Sequence, residues 1–307
     1  MNIAVRFARP DDYRQDAASD GSALPFTGRQ LASDQRSVEQ DPYFRRVVAA
    51  ADDKIVGACA IRSNWAGTVQ PGRLWVTIDV APQWRGHGLG SRMLHHGIAE
   101  FDSDVAELGT CIREDRLPHA DFLAEFGFEE RFRSWGAHLD LTTFDPAQYD
   151  DLIDDLRLTG ISLVPYEEIE SEENYQKLVD LNRDLDRDVR SFDPIVPSAG
   201  SEPIGPDVVR AGLIVALDEQ GDFVGMACLR QDTPGGPIDS GLTGVRREHR
   251  GRGIATALKA RSLAVAKELG ATETGTGGGG IDSPMKRLNQ KLGYKVEPDW
   301  VTLISRR

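Results

Sequence analysis

The sequence predicts an α/β protein that contains two tandem copies of one domain. With 307 residues, the chain exceeds the usual size of a single compact domain and suits two. Landmarks in the first half recur in the second half at a nearly constant offset. In each half a strand-like segment is followed by a glycine-rich loop and then by a helical pattern. These three observations carry the fold prediction.

Four landmarks of different chemistry define the repeat. They keep the same order, at offsets of 165 to 168 residues, which is hard to obtain except by duplication. The matched pairs are Gly57 with Gly225, residues 85–90 with 250–255, residues 126–128 with 292–294, and Trp135 with Trp300.

Alternating and apolar segments predict the elements of each copy. The predicted strands of the first copy are residues 3–7, 44–50, 54–63, 73–80, 107–112 and 134–141, with helices after the glycine loop and at 119–126. The second copy has predicted strands at 213–217, 223–230 and 238–245 and a long helix over 170–187. The predicted domains are residues 1–145 and 160–307, joined by an Asp-rich connector at 146–159.

Composition narrows the possible partners. The net charge of −13 would repel a polyphosphate backbone, so nucleic acid is not expected as a partner, and an amine substrate is mildly favoured. Three widely separated cysteines suggest neither a disulfide framework nor a zinc site, and no metal is expected. Because no apolar run approaches the roughly 18 residues of a membrane span, we expect a cytoplasmic protein without a membrane partner.

The two glycine-rich loops are the candidate chemical sites. Each precedes a helix, where free backbone N–H groups and the helix dipole favour an anion such as phosphate. A glycine-bounded helix start is also a common packing device. A Walker loop would need Gly-Lys-Ser or Gly-Lys-Thr, which neither loop has. The first loop, Gly86, Gly88 and Gly90, also lacks the dinucleotide spacing.

The loops resemble the signature of the GCN5-related N-acetyltransferase (GNAT) superfamily: Arg or Gln, two residues, Gly, one residue, then Gly or Ala. Arg85, Gly88 and Gly90 fill it in the first copy, as do Arg250, Gly253 and Ala255 in the second. Residues 126–128 and 292–294 resemble the family's late Leu-Gly-Phe turn. The resemblance covers most of both halves and extends to the tandem acetyltransferases of bacteria.

The resemblance implies acetyl-CoA as co-substrate and, in each copy, a mixed, mainly antiparallel sheet flanked by helices. It places the pantetheine along the backbone of Val80 and Val245. The residues that would cradle the pyrophosphate are Arg85, Gly86, His87, Gly88, Leu89, Gly90 and Ser91 in the first copy, and Arg250, Gly251, Arg252, Gly253, Ile254, Ala255 and Thr256 in the second.

The catalytic residues are less well defined. Many family members carry a tyrosine acid at the positions of Leu123 and Asn289. Leucine cannot donate a proton, whereas Asn289 could hydrogen-bond the cofactor, so the sequence favours the second copy as the active one. Asp79, Asp239 and Asp282 are candidate bases, although for each one taken singly a solvated strand or loop carboxylate is the favoured interpretation.

The expected function is transfer of an acetyl group from acetyl-CoA to an amine of a small molecule. Three alternatives stay open: a peptide or protein amine as acceptor, a non-catalytic acyl-CoA sensor, and a phosphate-binding structural duplication. A duplicated chain can form a pseudo-twofold pair by itself, so a monomer or a homodimer is expected.

Overall fold

A computed structural model describes residues 3–9, 12, 41–52, 54–65, 68–99, 101, 105–189, 192, 203–231, 233, 235–280 and 283–306. The chain divides into two compact units. The first unit is Met1–Phe132 with Trp300–Arg307, and the second unit is Arg133–Asp299. This division differs from the predicted domains 1–145 and 160–307, because the end of the chain belongs to the first unit and residues 133–145 belong to the second.

The first unit contains one large sheet. Its strands, numbered along the chain, are β1 (Ile3–Phe7), β2 (Arg45–Ala51), β3 (Lys54–Arg62), β6 (Arg73–Val80), β7 (Glu107–Arg113) and β15 (Trp300–Arg306), in that spatial order. A short hairpin of β4 (Asn64–Trp65) and β5 (Thr68–Val69) lies between β3 and β6 along the chain. Neighbouring strands are antiparallel except β6 and β7, which are parallel.

The α-helix α1 (Leu89–Ile98) packs on this sheet. Leu89, Met93, Leu94 and Gly97 are buried, as the four-residue spacing predicts. The helix predicted at 119–126 was wrong in type. Two short 3-10 helices, Glu114–His119 and Asp121–Phe126, occupy this segment. Pro118 lies within the first of them and has no N–H to donate to a longer α-helix.

The second unit contains a four-stranded antiparallel sheet in the order β12 (Asp239–Val245), β11 (Phe223–Arg230), β10 (Val208–Leu217) and β9 (Ser162–Pro165). A further ladder pairs β13 (Glu273–Gly279) and β14 (Lys295–Val296) with β8 (Glu129–Asp140), a strand that begins in the first unit. Its helices are α2 (Asp150–Leu158), α3 (Glu172–Asp186), α4 (Ile254–Glu268) and α5 (Pro284–Lys291).

The connector between the predicted domains is an integral part of the second unit. It forms a 3-10 helix, Pro146–Tyr149, followed by α2. Leu156 of α2 is 3% exposed in a core cluster that also includes Leu258 of α4. Just before the connector, the carbonyl of Phe144 accepts a hydrogen bond from Nζ of Lys267 at 2.6 Å. The connector is therefore packed structure.

The last strand of the chain completes the sheet of the first unit. β15 pairs with β7 over seven residues, from Trp300 opposite Arg113 to Arg306 opposite Glu107. Val301 and Ile304 are buried there. The sequence predicted both the strand at 134–141 and its alternation, but assigned that strand to the first copy. In the structure its residues 134–140 pair with β13 in the second unit. Alternation fixes which face of a strand is buried and not which strand it joins.

The repeat is visible in the packing. Gly57 lies opposite Val80 on the neighbouring strand, and Gly225 lies opposite Val245. A Cβ on Gly57 would lie 3.1 Å from Cε of Met93, and one on Gly225 would lie 3.0 Å from Cδ1 of Leu258. In each copy a glycine lets the helix after the loop approach the sheet closely. Over the described residues, no helix has the length and apolar character needed to span a membrane.

Candidate active site

A cavity of about 860 Å³ lies in the first unit where β6 and β7 separate. The two parallel strands pair only at their beginnings, from Arg73 with Glu107 to Trp75 with Gly109. Beyond Trp75 residues 77–80 of β6 form one wall of the cavity and residues 110–113 of β7 form another. The separation leaves their backbone groups available to a ligand.

Side-chain alternation distinguishes the two faces that the cavity joins. Ile78 and Ile112 pack against the core cluster that contains residues of α1, on the helix side of the sheet. Their neighbours Asp79 and Arg113 point to the opposite face and also line the cavity. The end of the cavity on the helix side of the sheet contains the glycine loop, and we call it the helix-side end. The other end contains Asp79 and Arg113, and we call it the opposite end.

The glycine loop lies open at the helix-side end. Gly86 and Gly88 have φ values of 75° and 68°, which glycine adopts without steric cost. A Cβ on either residue would have no neighbour within 4 Å. Because α1 begins at Leu89, the unpaired amides of its first turn lie at this point. The cavity is lined here by Arg85, Gly86, Gly88, Leu89, Gly90 and Ser91. The arrangement suits an anionic group.

Two predicted loop contacts have structural roles. Nε of Arg85 donates to the carbonyl of Val80 at 2.9 Å, so part of the guanidinium fixes the loop to the end of β6. Nδ1 of His87 lies 2.8 Å from the carbonyl of Arg85. His87 is exposed and does not line the cavity, unlike its neighbours Gly86 and Gly88.

Asp79 is a half-buried carboxylate in the cavity wall. Burial raises its pKa above the usual range of an aspartate, and the positive charges of Arg116 and Arg85 partly oppose that rise. A carboxylate with a raised pKa is a stronger base than an exposed one. Asp79 therefore combines a position in the cavity wall with a raised pKa.

The second loop has the same backbone shape and different surroundings. Gly251 and Gly253 have φ values of 78° and 86°, and Nε of Arg250 donates to the carbonyl of Val245 at 2.9 Å. The guanidinium of Arg250 is also ion-paired with Asp188. A Cβ on Gly253 would lie 2.9 Å from Cδ1 of Leu152, on the connector helix α2.

The side chain of Arg252 is also hydrogen-bonded within the second unit. Its Nη2 donates to the carbonyl of Thr159, at the end of α2, at 3.2 Å. Gly88 has no counterpart to the Leu152 contact, and no ion pair of Arg85 is found among the described residues. The second loop is thus held by its own unit, whereas the first is open.

Two family models match the chain. The acetyltransferase (GNAT) domain matches residues 42–130, and the acetyltransferase (GNAT) family model matches residues 180–294. The chain belongs to the GNAT acetyltransferase family. Its two GNAT domains lie in tandem, and acetyltransferase activity follows from that membership. Proteins of this family use acetyl-CoA as co-substrate.

Solved structures share the fold over nearly the whole chain. A GCN5-related N-acetyltransferase from Sphaerobacter thermophilus is 19% identical, with a TM-score of 0.69 over 99% of this chain and 95% of that one. A tandem GNAT protein from the clavulanic acid biosynthesis pathway is 20% identical, with a TM-score of 0.64 over 99% and 98%. A GCN5-related N-acetyltransferase from Kribbella flavida is 16% identical, with a TM-score of 0.52 over 92% and 96%. No curated protein matches the chain.

The structure gives the candidate catalytic residues of the second GNAT domain surroundings that the sequence did not predict. Asp239 is exposed, and its Oδ1 accepts a hydrogen bond from the amide of Gly275 at 2.7 Å, so it links β12 to β13. Asn289 is completely buried, and within the described part of the chain neither of its side-chain polar atoms has a hydrogen-bond partner. Asp282 lies outside the described residues.

Sequence reasoning missed several residues at the opposite end of the cavity. Cys111, Arg113, Arg116 and Trp300 line it. Cys111 and Arg113 are in phase with Gly109, which the strand alternation of β7 could have indicated. Trp300 could not have been found, because it reaches the first unit only through β15. Among the described residues, no group of three or more His, Cys, Asp or Glu side chains is arranged to hold a metal ion.

Proposed function

We propose that the first unit binds acetyl-CoA and transfers its acetyl group to an amine of a small molecule. The observation that carries the proposal is the cavity of about 860 Å³ between β6 and β7, with an open glycine loop at one end and Asp79 at the other. The volume is within the range of small-molecule sites.

The residues present fit the co-substrate. The amides at the start of α1, with Gly86, Gly88 and Ser91, would hold the pyrophosphate. The backbone of Val80, where β6 ends beside the cavity, would contact the pantetheine. When bound, acetyl-CoA supplies an acetyl thioester for attack by an amine.

Asp79 is the proposed general base. A primary amine is protonated at neutral pH and must lose a proton before it can attack. Asp79 lies at the opposite end from the glycine loop, and its raised pKa makes it suited to accept that proton. Leu123 also lines the cavity, is 4% exposed and carries no polar group. Position 123 therefore provides no acid for the leaving thiolate.

The geometry favours the first unit as the acetyl-CoA site, whereas the sequence predicted a cofactor loop in each copy and favoured the second copy as the active one. Asn289 is buried without a hydrogen-bond partner among the described residues, and Leu152 and Asp188 lie against the second glycine loop. An anion at Arg250 would have to compete with the carboxylate of Asp188, whose pKa the guanidinium groups of Arg247 and Arg250 hold well below its usual range.

A matched pair of substitutions tests the assignment. Ser91 and Thr256 are equivalent residues in the first turns of α1 and α4. Glutamate in a first helical turn interacts favourably with the helix dipole but repels a bound phosphate. We expect calorimetric titration to show one acetyl-CoA per chain, with binding lost in Ser91→Glu and kept in Thr256→Glu. The reverse pattern would move the site to the second unit.

Turnover distinguishes the enzyme from a sensor. Release of the CoA thiol is measured with a panel of small amines and with peptides that present free amino groups. Thiol release that depends on a small amine supports the proposal. Tight binding of acetyl-CoA without turnover of any amine supports the sensor, and turnover restricted to peptides supports a protein acceptor. The absence of binding at millimolar acetyl-CoA contradicts the proposal.

A further inference from the structure

We infer that the acceptor amine also carries an oxyanion, a carboxylate or a phosphate, which arginines at the opposite end of the cavity bind. The inference rests on the proposed function, because it concerns the acceptor end of the same cavity. Three arginines line this part of the wall, Arg62, Arg113 and Arg116, and they come from three different segments.

The strand register places two of these arginines on one face. Arg62 lies opposite Trp75 on β6, and directly paired residues of antiparallel strands share a face. Trp75 is in phase with Asp79 along β6. Arg113 belongs to the same face, because it is in phase with Gly109, where a Cβ would lie 2.8 Å from the ring of Trp75.

Arg116 follows β7 in the 3-10 helix Glu114–His119. Its charge lowers the pKa of Asp79 against the effect of burial, so it acts on the same region. Arg116 is exposed and makes no hydrogen bond or ion pair with any residue that the structure describes. Its guanidinium therefore keeps its full donor capacity for a ligand.

The charged groups at this end differ in how far they are already paired. Arg113 forms a two-point ion pair with Asp115, with distances of 2.8 Å and 2.6 Å. The charge of Arg116 lowers the pKa of both Asp79 and Asp115, but Arg116 donates a hydrogen bond to neither of them. A simple cationic amine would leave the donors of Arg116 without an acceptor. An amine that carries an oxyanion would place its ammonium near Asp79 and its oxyanion near a guanidinium.

The acceptor pocket also has an aromatic wall. Trp300 is 38% exposed, lines the cavity and lies opposite Arg113 in the register of β15 with β7. Its ring offers an apolar surface beside the proposed oxyanion site. The combination fits an amino acid or a comparably small amine with one anionic group.

The test compares amines with and without an oxyanion. Phenylalanine is compared with phenylalaninamide, phosphoethanolamine with ethanolamine, and both pairs with a diamine, by thiol release from acetyl-CoA. We expect kcat/KM to be at least tenfold higher for the oxyanion-bearing member of one pair. A preference for phenylalanine over its amide would indicate a carboxylate, and a preference for phosphoethanolamine over ethanolamine would indicate a phosphate. Equal or higher kcat/KM for the neutral amines or the diamine would overturn the inference while the proposed function stands.

Arg116→Gln provides the residue-level test, with Arg131→Gln as its control, since Arg131 is an exposed arginine paired with Glu129. We expect Arg116→Gln to reduce the preference about tenfold with an unchanged Kd for acetyl-CoA, and Arg131→Gln to change neither. A raised Kd for acetyl-CoA with an unchanged preference would assign Arg116 to the cofactor and contradict the inference.

A second readout does not depend on turnover. In the presence of acetyl-CoA or CoA, oxyanion-bearing amines and their N-acetyl products should raise the Tm of the natural protein more than that of Arg116→Gln. If no such compound is acetylated or raises the Tm, the inference is wrong. Failure of acetyl-CoA binding in calorimetry would instead mark failure of the proposed function.

Discussion

Nε of Arg85 donates to the carbonyl of Val80 at 2.9 Å, and Arg250 makes the same 2.9 Å contact to Val245 in the second copy. The sequence assigned both arginines to phosphate. The structure shows that each first fixes the geometry of its own loop, because it bridges the end of a strand and the start of the glycine turn. The difference between the copies lies in what surrounds the rest of each guanidinium.

Replacement of Arg85 should therefore weaken acetyl-CoA binding through the loop. Arg85→Ala removes the contact to Val80 and one positive charge beside the glycine turn. We expect Kd to rise about tenfold, which corresponds to about 1.4 kcal/mol. Arg250→Ala is the matched control, and its Kd should be unchanged because the second loop is held by its own unit. An equal effect of both substitutions in calorimetry would contradict the assignment of the site to the first unit.

Asp79 should determine the acidic limb of the pH–rate profile. Its pKa is raised, so the base is lost at a higher pH than for an ordinary aspartate as the pH falls. We expect Asp79→Asn to lower kcat by about 10² to 10⁴ and to remove that limb. The test is kcat/KM against pH with a saturating co-substrate.

The raised pKa of Asp79 predicts that the same substitution has the opposite effect on stability. A carboxylate with a raised pKa in the folded state binds its proton more tightly there than in the unfolded chain. Its ionisation therefore lowers the free energy of unfolding as the pH rises from the unfolded-state pKa to the folded-state pKa. Asp79→Asn should raise the Tm at neutral pH while it lowers the rate. A lower Tm would mean that Asp79 is mainly a structural residue.

Lys259 on α4 should reduce the stability of the second unit at neutral pH. It is 2% exposed, and burial lowers its pKa to about 7, while Nζ donates to Oγ1 of Thr276 at 3.2 Å. The unfolded chain binds this proton more tightly, so stability rises between pH 7 and the usual lysine value near 10.5. Lys259→Met should raise the Tm at pH 7 by several degrees and flatten this rise. Thermal unfolding at pH 7 and pH 9.5 would show whether the difference between the variants shrinks.

The placement of β15 can be tested with two core truncations. Ile304 on β15 is 3% exposed in the first unit, and Leu139 on β8 is 4% exposed in the second. Each change to alanine should cost about 2–5 kcal/mol. Only Ile304→Ala should also weaken acetyl-CoA binding, because β15 supports β7, whose residues 110–113 form a wall of the cavity. Unchanged binding in Ile304→Ala, with weakened binding in Leu139→Ala, would contradict this placement.

Local patterns were sufficient for the elements and for the glycine loops. Residues 73–80 and 223–230 are strands with the predicted bounds, because apolar runs between turns define them. The glycine loops lie between a strand and a helix, as predicted, and Gly86, Gly88, Gly251 and Gly253 have positive φ values that few other residues adopt. The duplication and the family also follow from the sequence, because both depend on the order and spacing of residues along the chain.

Tertiary structure alone decided which copy has an open site. The two loops share one signature, yet Leu152 and Asp188 reach the second loop from segments 62 or more residues away in sequence. It also decided that β15 completes the first unit, because backbone hydrogen bonds between strands carry no residue code. The sequence by itself determined a tandem GNAT acetyltransferase. The opposite end of the cavity, which is lined by Asp79, Arg62, Arg113, Arg116 and Trp300, exists only once distant strands have been placed side by side.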